Sequence, residues 1–164
     1  MKNINLKNFI VIGAVLSATL VSCDNEDRIK ETIYKAEISV KGDKEGFDGS
    51  FYITGSNMYD ERMNILETPY KLSPEDQKKD VNIFYSKYYS EKITPFTCDG
   101  IAYKFTENDT PQDTLQLKIK AYRNNTLIID TLHNFLSYTK DEAETLQDSI
   151  DKQNNFTLKI PSLN

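Results

Sequence analysis

The chain has 164 residues, of which 38% are hydrophobic and 11% aromatic, and its formal net charge is −5. A chain of this length forms one globular domain, which excludes a multidomain enzyme. Its ten Tyr and eight Phe require a buried core, which excludes a disordered or fibrous protein. Two Cys and one His leave few groups for metal binding or nucleophilic catalysis.

The first 22 residues have the pattern of an export signal. Lys2 and Lys7 form a charged start, and the apolar run from Phe9 to Val21 follows. This run has thirteen residues, whereas a membrane-crossing helix needs about 20. We therefore expect residues 1–22 to direct export instead of spanning the membrane.

The apolar run ends in Leu20-Val21-Ser22-Cys23, which resembles the lipobox of bacterial lipoproteins. The resemblance implies cleavage before Cys23, diacylglycerol on its sulfur and a further acyl chain on the new amine. Several chains anchor a protein stably, because each buried CH₂ contributes about 0.8 kcal/mol. The implied location is the outer membrane, with the domain in the periplasm or at the cell surface. An uncleaved signal anchor is the alternative.

An acidic segment follows the lipobox cysteine. Residues 23–31 would form a tether that holds the domain of residues 32–164 off the bilayer. Asp24-Asn25-Glu26-Asp27 is similar to the surface-export signal of Bacteroidota lipoproteins, whereas in enterobacterial sorting an Asp after the Cys favours inner-membrane retention. Loss of residues 1–22 removes two Lys and no acid, which changes the net charge from −5 to −7. We expect such a chain to repel nucleic acid.

Apolar and polar residues alternate over most of the chain after residue 31, and this period of two indicates half-buried strands. Two dipeptides, Asp99-Gly100 and Asn124-Asn125, indicate hairpin turns. The predicted strands cover residues 34–40, 47–55, 63–68, 81–89, 93–98, 101–106, 115–122, 127–135 and 156–160.

Two segments carry helix-start signals. Ser73-Pro74-Glu75-Asp76 places an N-cap residue before Pro and two acids, which predicts a single helical turn. Thr139 and Glu142 fit a capping box at the start of a second helix that extends to about Lys152. This helix would carry one apolar stripe, made by Ala143, Leu146 and Ile150.

Seven to nine strands and one short C-terminal helix predict an all-β fold, an antiparallel Ig-like β-sandwich behind the lipoprotein signal peptide. A small barrel is the alternative. Over residues 34–132 the order of features resembles the Ig-like sandwiches of MmpS-type membrane accessory proteins. The turn here is Asn124-Asn125 where that family has Asp-Gly, and the hairpin at 93–106 has no counterpart. No functional residue is therefore carried over from that family.

The residue types that metal sites and catalysis require are sparse. His133 is the single His, which suits a surface or edge-strand residue. Asp43, Glu45 and Asp48 do not have EF-hand spacing. Cys98 would flank a turn and has no disulfide partner once Cys23 is acylated. We expect no metal, no cofactor and no catalytic activity.

Three Asp-Ser/Thr-apolar triplets resemble the O-glycosylation site of Bacteroidota. The residues that would carry the sugar are Thr114, Thr131 and Ser149. Parity predicts that Thr114 is exposed, Ser149 lies in a polar segment, and Thr131 shares the parity of apolar neighbours. Alternatively, each triplet only ends a strand or a turn.

An aromatic patch is the single localised candidate for a binding site. If the odd-numbered residues of 81–85 face the core, Phe84 and Tyr88 lie on the opposite face, with Tyr89 adjacent. Such a patch would suit a sugar or an aromatic-rich protein interface. Alternatively, both faces of this strand are covered, one of them by the helix at 140–152.

These patterns predict a lipid-anchored envelope protein that acts as a non-catalytic binding or accessory module. Its partners would be the membrane, through lipid on Cys23, and an unknown protein or glycan. One alternative is a structural subunit of a fimbria or envelope complex that receives a donor strand. The other is a carboxylate-dependent hydrolase, which needs two facing acids about 5 to 9 Å apart in a cleft.

Overall fold

The computed structural model describes residues 31–88, 94–107 and 113–161. The chain divides into two units, Met1–Lys30 and Glu31–Asn164, and all described residues belong to the second unit. The predicted lipid site Cys23 and the predicted patch residue Tyr89 lie outside the described residues.

The described part of the chain forms eleven strands and two helices. Neither of these helices has the length and apolarity needed to cross a bilayer. In chain order the elements are β1 (Thr32–Gly42), β2 (Asp48–Thr54), β3 (Met58–Asp60), β4 (Tyr70–Lys71), α1 (Pro74–Lys78), β5 (Asn82–Tyr88), β6 (Phe96–Tyr103), β7 (Phe105–Thr106), β8 (Thr114–Arg123), β9 (Thr126–Leu136), β10 (Tyr138–Thr139), α2 (Lys140–Gln153) and β11 (Asn155–Ile160).

The strands form two antiparallel sheets, which confirms the predicted all-β sandwich. The first sheet has the order β3-β5-β1-β8-β9, and the second has the order β11-β6-β2-β4. A short parallel pair, β10 with β7, lies outside these two sheets. The four strands of two or three residues are too short to produce a visible period in the sequence.

The core lies between the two sheets and is filled by alternate residues of the long strands. Every second residue of β8, from Leu115 to Ala121, is buried. The Phe51 ring from the second sheet meets Phe135 from the first edge-to-face, with ring centroids 5.6 Å apart. The core includes inward-facing residues of β1, β8 and β6, among them Tyr34, Ala36, Ile38, Val40, Leu117, Ile119, Phe96, Cys98 and Ala102.

The predicted hairpin turn at Asp99-Gly100 is wrong, because both residues lie within the continuous strand β6. A Cβ on Gly100 would lie 3.0 Å from the side chains of Leu117 and Phe51. Glycine therefore occupies this position because the two sheets approach closely. Such close approach is a common reason for Gly inside a strand. Asp99 is on the outer face, where its carboxylate accepts a hydrogen bond from the Thr157 hydroxyl at 2.8 Å.

The predicted strand at 63–68 is also wrong. The strand in this region is β3, which ends at Asp60, and a turn follows in which Met63 has a φ of 63°. The Asp60 carboxylate stabilises this turn by accepting hydrogen bonds from the backbone N–H groups of Arg62 and Asn64, both at 2.8 Å. Side-chain bonding of this kind competes with strand pairing.

The C-terminal helix is confirmed, and its Thr139–Glu142 capping box forms. Its predicted apolar stripe is wrong at Leu146, which is 47% exposed and has non-helical backbone angles. Ile150 is buried. The residue that caps the C-terminal end of the helix is Asn154, which is fully buried. Its side chain donates to the Leu136 carbonyl and accepts from the Leu136 N–H.

The predicted helical turn at Ser73 is confirmed as α1, and its capping residue Asp76 is buried. Burial alone would raise the pKa of Asp76, but hydrogen bonds from Lys79, Ser73 and Tyr70 lower that pKa from 3.8 to about 2. The Lys79 ammonium is 2.6 Å from the carboxylate, and the Tyr70 hydroxyl donates to it at 2.9 Å. The ionised form of Asp76 therefore stabilises the fold.

We expect Asp76→Asn to lower the free energy of unfolding by about 2 kcal/mol at neutral pH. Because the pKa of Asp76 is lower in the folded state, its ionised form stabilises the protein at pH values above the unfolded pKa. This stabilisation is lost as the pH falls through about 2. The difference between the two proteins should therefore shrink between pH 4 and pH 2, as measured by urea denaturation. Asp80→Asn, at an exposed neighbour, is the matched control. A difference that does not vary with pH would contradict this role for Asp76.

Candidate functional site

The predicted patch on β5 is wrong, because Phe84 and Tyr88 are each only 4% exposed. Phe84 packs against Tyr70, with ring centroids 5.6 Å apart, and Tyr88 packs against Tyr34 at 6.4 Å. The Tyr88 hydroxyl also donates to the Ser56 carbonyl at 2.9 Å. Both rings are packed, as the alternative interpretation held, but its second part is wrong, because the strand is covered on one face and not on both. The covering helix was misplaced, since α2 lies against β7, β9, β10 and β11.

The other parity of β5 forms the outer face of the first sheet. Val81, expected in the core, is 40% exposed, and Ile83 and Tyr85 are half-buried. The backbone register places Tyr85 opposite Lys35 of β1, whose side chain lies on the outer face. β5 is apolar on both parities, so its orientation depends on this pairing with β1 and cannot be read from β5 alone.

Side chains from five adjacent strands line up across this outer face. Directly paired residues of neighbouring strands place their side chains on the same face. Because strands lie about 4.8 Å apart, the line extends about 19 Å across the sheet. We call it the tyrosine row, and in strand order it contains Tyr59 (β3), Tyr85 (β5), Lys35 (β1), Tyr122 (β8) and Leu127 (β9).

Charged side chains hold the rings of the tyrosine row in place. The Lys35 ammonium lies 4.1 Å from the Tyr122 ring centroid and 2.7 Å from the Glu37 carboxylate. The Tyr122 hydroxyl donates to the same carboxylate at 3.1 Å. The hydrogen bond with Glu37 raises the pKa of Lys35, and the same bond lowers the pKa of Glu37. At the end of the row, Lys87 lies 5.6 Å from the Tyr59 ring centroid.

The sequence contained a partial signal for this surface. The outward parity of β8 carries Lys118, Lys120 and Tyr122, and that of β1 carries Lys35 and Glu37. Their alternation with apolar residues identifies an outer face on each strand. Their alignment into one row depends on the register between strands that are distant in sequence, which a single strand does not show.

A second exposed aromatic site lies on the two-stranded sheet. Phe105 is 49% exposed and stacks on Tyr103, with ring centroids 6.3 Å apart and planes 11° from parallel. The Tyr103 hydroxyl donates to Asp151 at 3.0 Å. This pair comprises two rings, whereas the tyrosine row crosses a whole sheet.

A cleft of about 460 Å³ opens beside β5, and its lining includes three acids, Asp60, Glu61 and Asp76. Two of them, Asp60 and Asp76, accept hydrogen bonds from other protein groups. Hydrogen bonds from Asn64 lower the pKa of Asp60, and the pKa of Asp76 is about 2. A general acid requires a raised pKa, so neither carboxyl is suited to donate a proton to a leaving group.

The three predicted glycosylation residues differ in exposure. Thr114 was expected to be exposed but is half-buried, because the end of β1 at Gly42 and Asp43 lies against its backbone. Thr131 is half-buried on β9. Ser149 is exposed on α2. Access to solvent therefore favours Ser149 among the three.

Cys98 and His133 both have structural surroundings. Cys98 does not flank a turn but is buried in β6, and burial raises the pKa of its thiol to about 12, which makes it unreactive. His133 lies on the edge strand β9, as expected, and packs against Phe135 and Phe156. Among the described residues, no group of three or more His, Cys, Asp or Glu side chains is arranged to hold a metal ion.

No protein-family model and no curated protein matches the chain. Three solved structures resemble it. A domain of unknown function, DUF4425, from Bacteroides vulgatus is 13% identical, with a TM-score of 0.53, and the match covers 81% of this chain and 98% of that chain. A DUF4425 family protein from Bacteroides ovatus is 12% identical, with a TM-score of 0.51 and coverages of 82% and 98%. The calcium-bound form of a protein from Parabacteroides distasonis is 18% identical, with a TM-score of 0.46 and coverages of 64% and 81%.

The chain shares its β-sandwich fold with the two DUF4425 proteins. At sequence identities of 12% and 13%, the similarity shows a common fold and nothing more. Both proteins come from Bacteroides, which is consistent with the Bacteroidota origin indicated by the sequence motifs. Neither similarity assigns a role to a residue of this chain.

Proposed function

We propose that this protein is a lipid-anchored, non-catalytic module of the cell envelope that binds a glycan chain on the tyrosine row. The observation that carries the proposal is the alignment of three tyrosines across adjacent strands of one sheet. Lipid on Cys23 would hold the domain at the outer membrane. Residues 23–31 would supply the tether.

A glycan suits this surface because a sugar ring has an apolar C–H face and a rim of hydroxyl groups. Tyr offers an apolar ring with a polar tip, so stacking and hydrogen bonding occur on the same side chain. Glu37 accepts from the Tyr122 hydroxyl and so fixes the orientation of this ring for stacking. A row about 19 Å long matches an extended chain better than a small compact ligand.

The lowered pKa values of Asp60 and Asp76 give the hydrolase alternative no general acid at these two positions. Asp60 and Asp76 stay ionised in the cleft beside β5, and each is already occupied by protein hydrogen bonds. The donor-strand alternative has less support, because the end of the β9 edge is already covered. There, Gln153 donates to the Asn134 carbonyl at 2.8 Å, and Asn154 bonds both backbone groups of Leu136.

Titration calorimetry against a panel of soluble neutral and acidic polysaccharides tests the proposal with the detergent-solubilised full-length protein. We expect Tyr85→Ala combined with Tyr122→Ala to weaken binding at least about tenfold, because two stacking contacts are lost. Phe105→Ala is the matched control, since it removes an exposed ring on another sheet. Failure of the wild type to bind any polysaccharide would overturn the proposal, as would equal affinity of the double variant.

A further inference from the structure

The outer face that carries the tyrosine row is basic, although the whole chain has a formal charge of −5. Among the described residues, Glu37 on β1 and Asp130 on β9 are the acids on this face, and the exposed Asp80 borders it. The five lysines on the same face of the sheet are Lys35, Lys41, Lys87, Lys118 and Lys120. The face therefore concentrates positive charge in an acidic protein.

Three of these lysines surround a depression of about 180 Å³ next to the tyrosine row. Lys41, Lys118 and Lys120 line it together with two acids, Glu37 and Asp80, so lysines outnumber acids by one. Lys120 pairs across the strands with Glu37, which is two residues along β1 from Lys35. Two residues of a strand span about 7 Å, so the depression begins about 7 Å from the tyrosine row.

The lysines of the depression keep donors for a ligand. Lys118 and Lys120 share one acid, Asp130, at the long distances of 3.9 and 3.8 Å. A second acid, Glu37, already forms an ion pair with Lys35 at 2.7 Å. Surface ion pairs of such length contribute little, and an incoming anion can replace them.

We propose that the glycan on the tyrosine row is an anionic one, with carboxylate or sulfate groups on its sugar units. This inference rests on the proposed function and adds the class of ligand. The sugar rings stack on Tyr85 and Tyr122, and the acidic groups contact Lys118 and Lys120. A single-stranded nucleic acid also combines rings with anions, but under the proposed envelope location the polyanions within reach are glycans, and polyuridylate is included in the test below.

Two matched pairs of polysaccharides separate the charge from the sugar backbone. Polygalacturonate is compared with highly methyl-esterified pectin, and dextran sulfate with dextran, again by calorimetry on the detergent-solubilised full-length protein. We expect the acidic member of at least one pair to bind about tenfold tighter or better, with an advantage that declines in 0.5 M salt.

Lys118→Gln combined with Lys120→Gln should remove this advantage and leave the affinity for the neutral member unchanged. Lys152→Gln combined with Lys159→Gln, at exposed sites on α2 and β11, is the charge-matched control and should keep it. Equal binding within both pairs would overturn the anionic ligand but leave glycan binding intact. Tighter binding of polyuridylate than of either acidic polysaccharide would also overturn it. Absence of binding to every polysaccharide would overturn both proposals.

Discussion

Phe84→Ala should lower the free energy of unfolding by about 3–5 kcal/mol, the range for an aromatic side chain removed from a core. The Phe84 ring is buried against Tyr70 and belongs to the core between the two sheets. Its removal loses the packing and leaves a space that the neighbouring strands fill only in part. Urea denaturation, with the slope compared between variants, measures this loss.

Tyr85→Ala is the matched control for Phe84→Ala, because the two residues are consecutive and point to opposite faces of β5. We expect a loss of about 1 kcal/mol at most for Tyr85, which is half-buried on the outer face. The pair therefore tests the orientation of β5 directly. A larger loss at Tyr85 than at Phe84 would show that the tyrosine row is part of the core and not a binding surface.

Cys23→Ala should abolish acylation completely and release the protein from the membrane or leave it unprocessed. Under the lipoprotein proposal, the thioether on Cys23 is the anchor once residues 1–22 are removed. Metabolic labelling with an alkyne fatty acid, followed by membrane fractionation, measures both effects. Cys98→Ala is the control, because its thiol is buried and should never carry the label. Label retained on the Cys23 variant would contradict the proposal.

The sequence predicted strands well where one face is apolar and the other polar. In β1 and β8 the buried residues follow the predicted parity along almost the whole strand. The Asn124-Asn125 turn was also predicted, and both residues have the positive φ that such a turn needs. Local chemistry decides these features, so a short stretch of chain is enough to recognise them.

The errors at Asp99-Gly100 and on β5 arose where a distant part of the chain decides the structure. Asp99-Gly100 has the local chemistry of a turn, but the approach of Leu117 and Phe51 requires Gly at that point. β5 is apolar on both parities, and its pairing with Lys35 turns Tyr85 outward. The candidate site is the clearest case, since its row of side chains exists only after five strands have paired in register.

The buried Asn154 joins the two sheets by hydrogen bonds. Its carbonyl accepts from the Ala102 N–H in one sheet at 3.2 Å, and its side chain bonds Leu136 in the other. The following strand then completes the second sheet by pairing Asn155 with Ile101. Such distant pairings form late in folding, because they require closure of a long loop. Under the lipoprotein proposal the chain would cross the inner membrane unfolded, and we expect the second sheet to stay incomplete until residues 155–160 pair with β6.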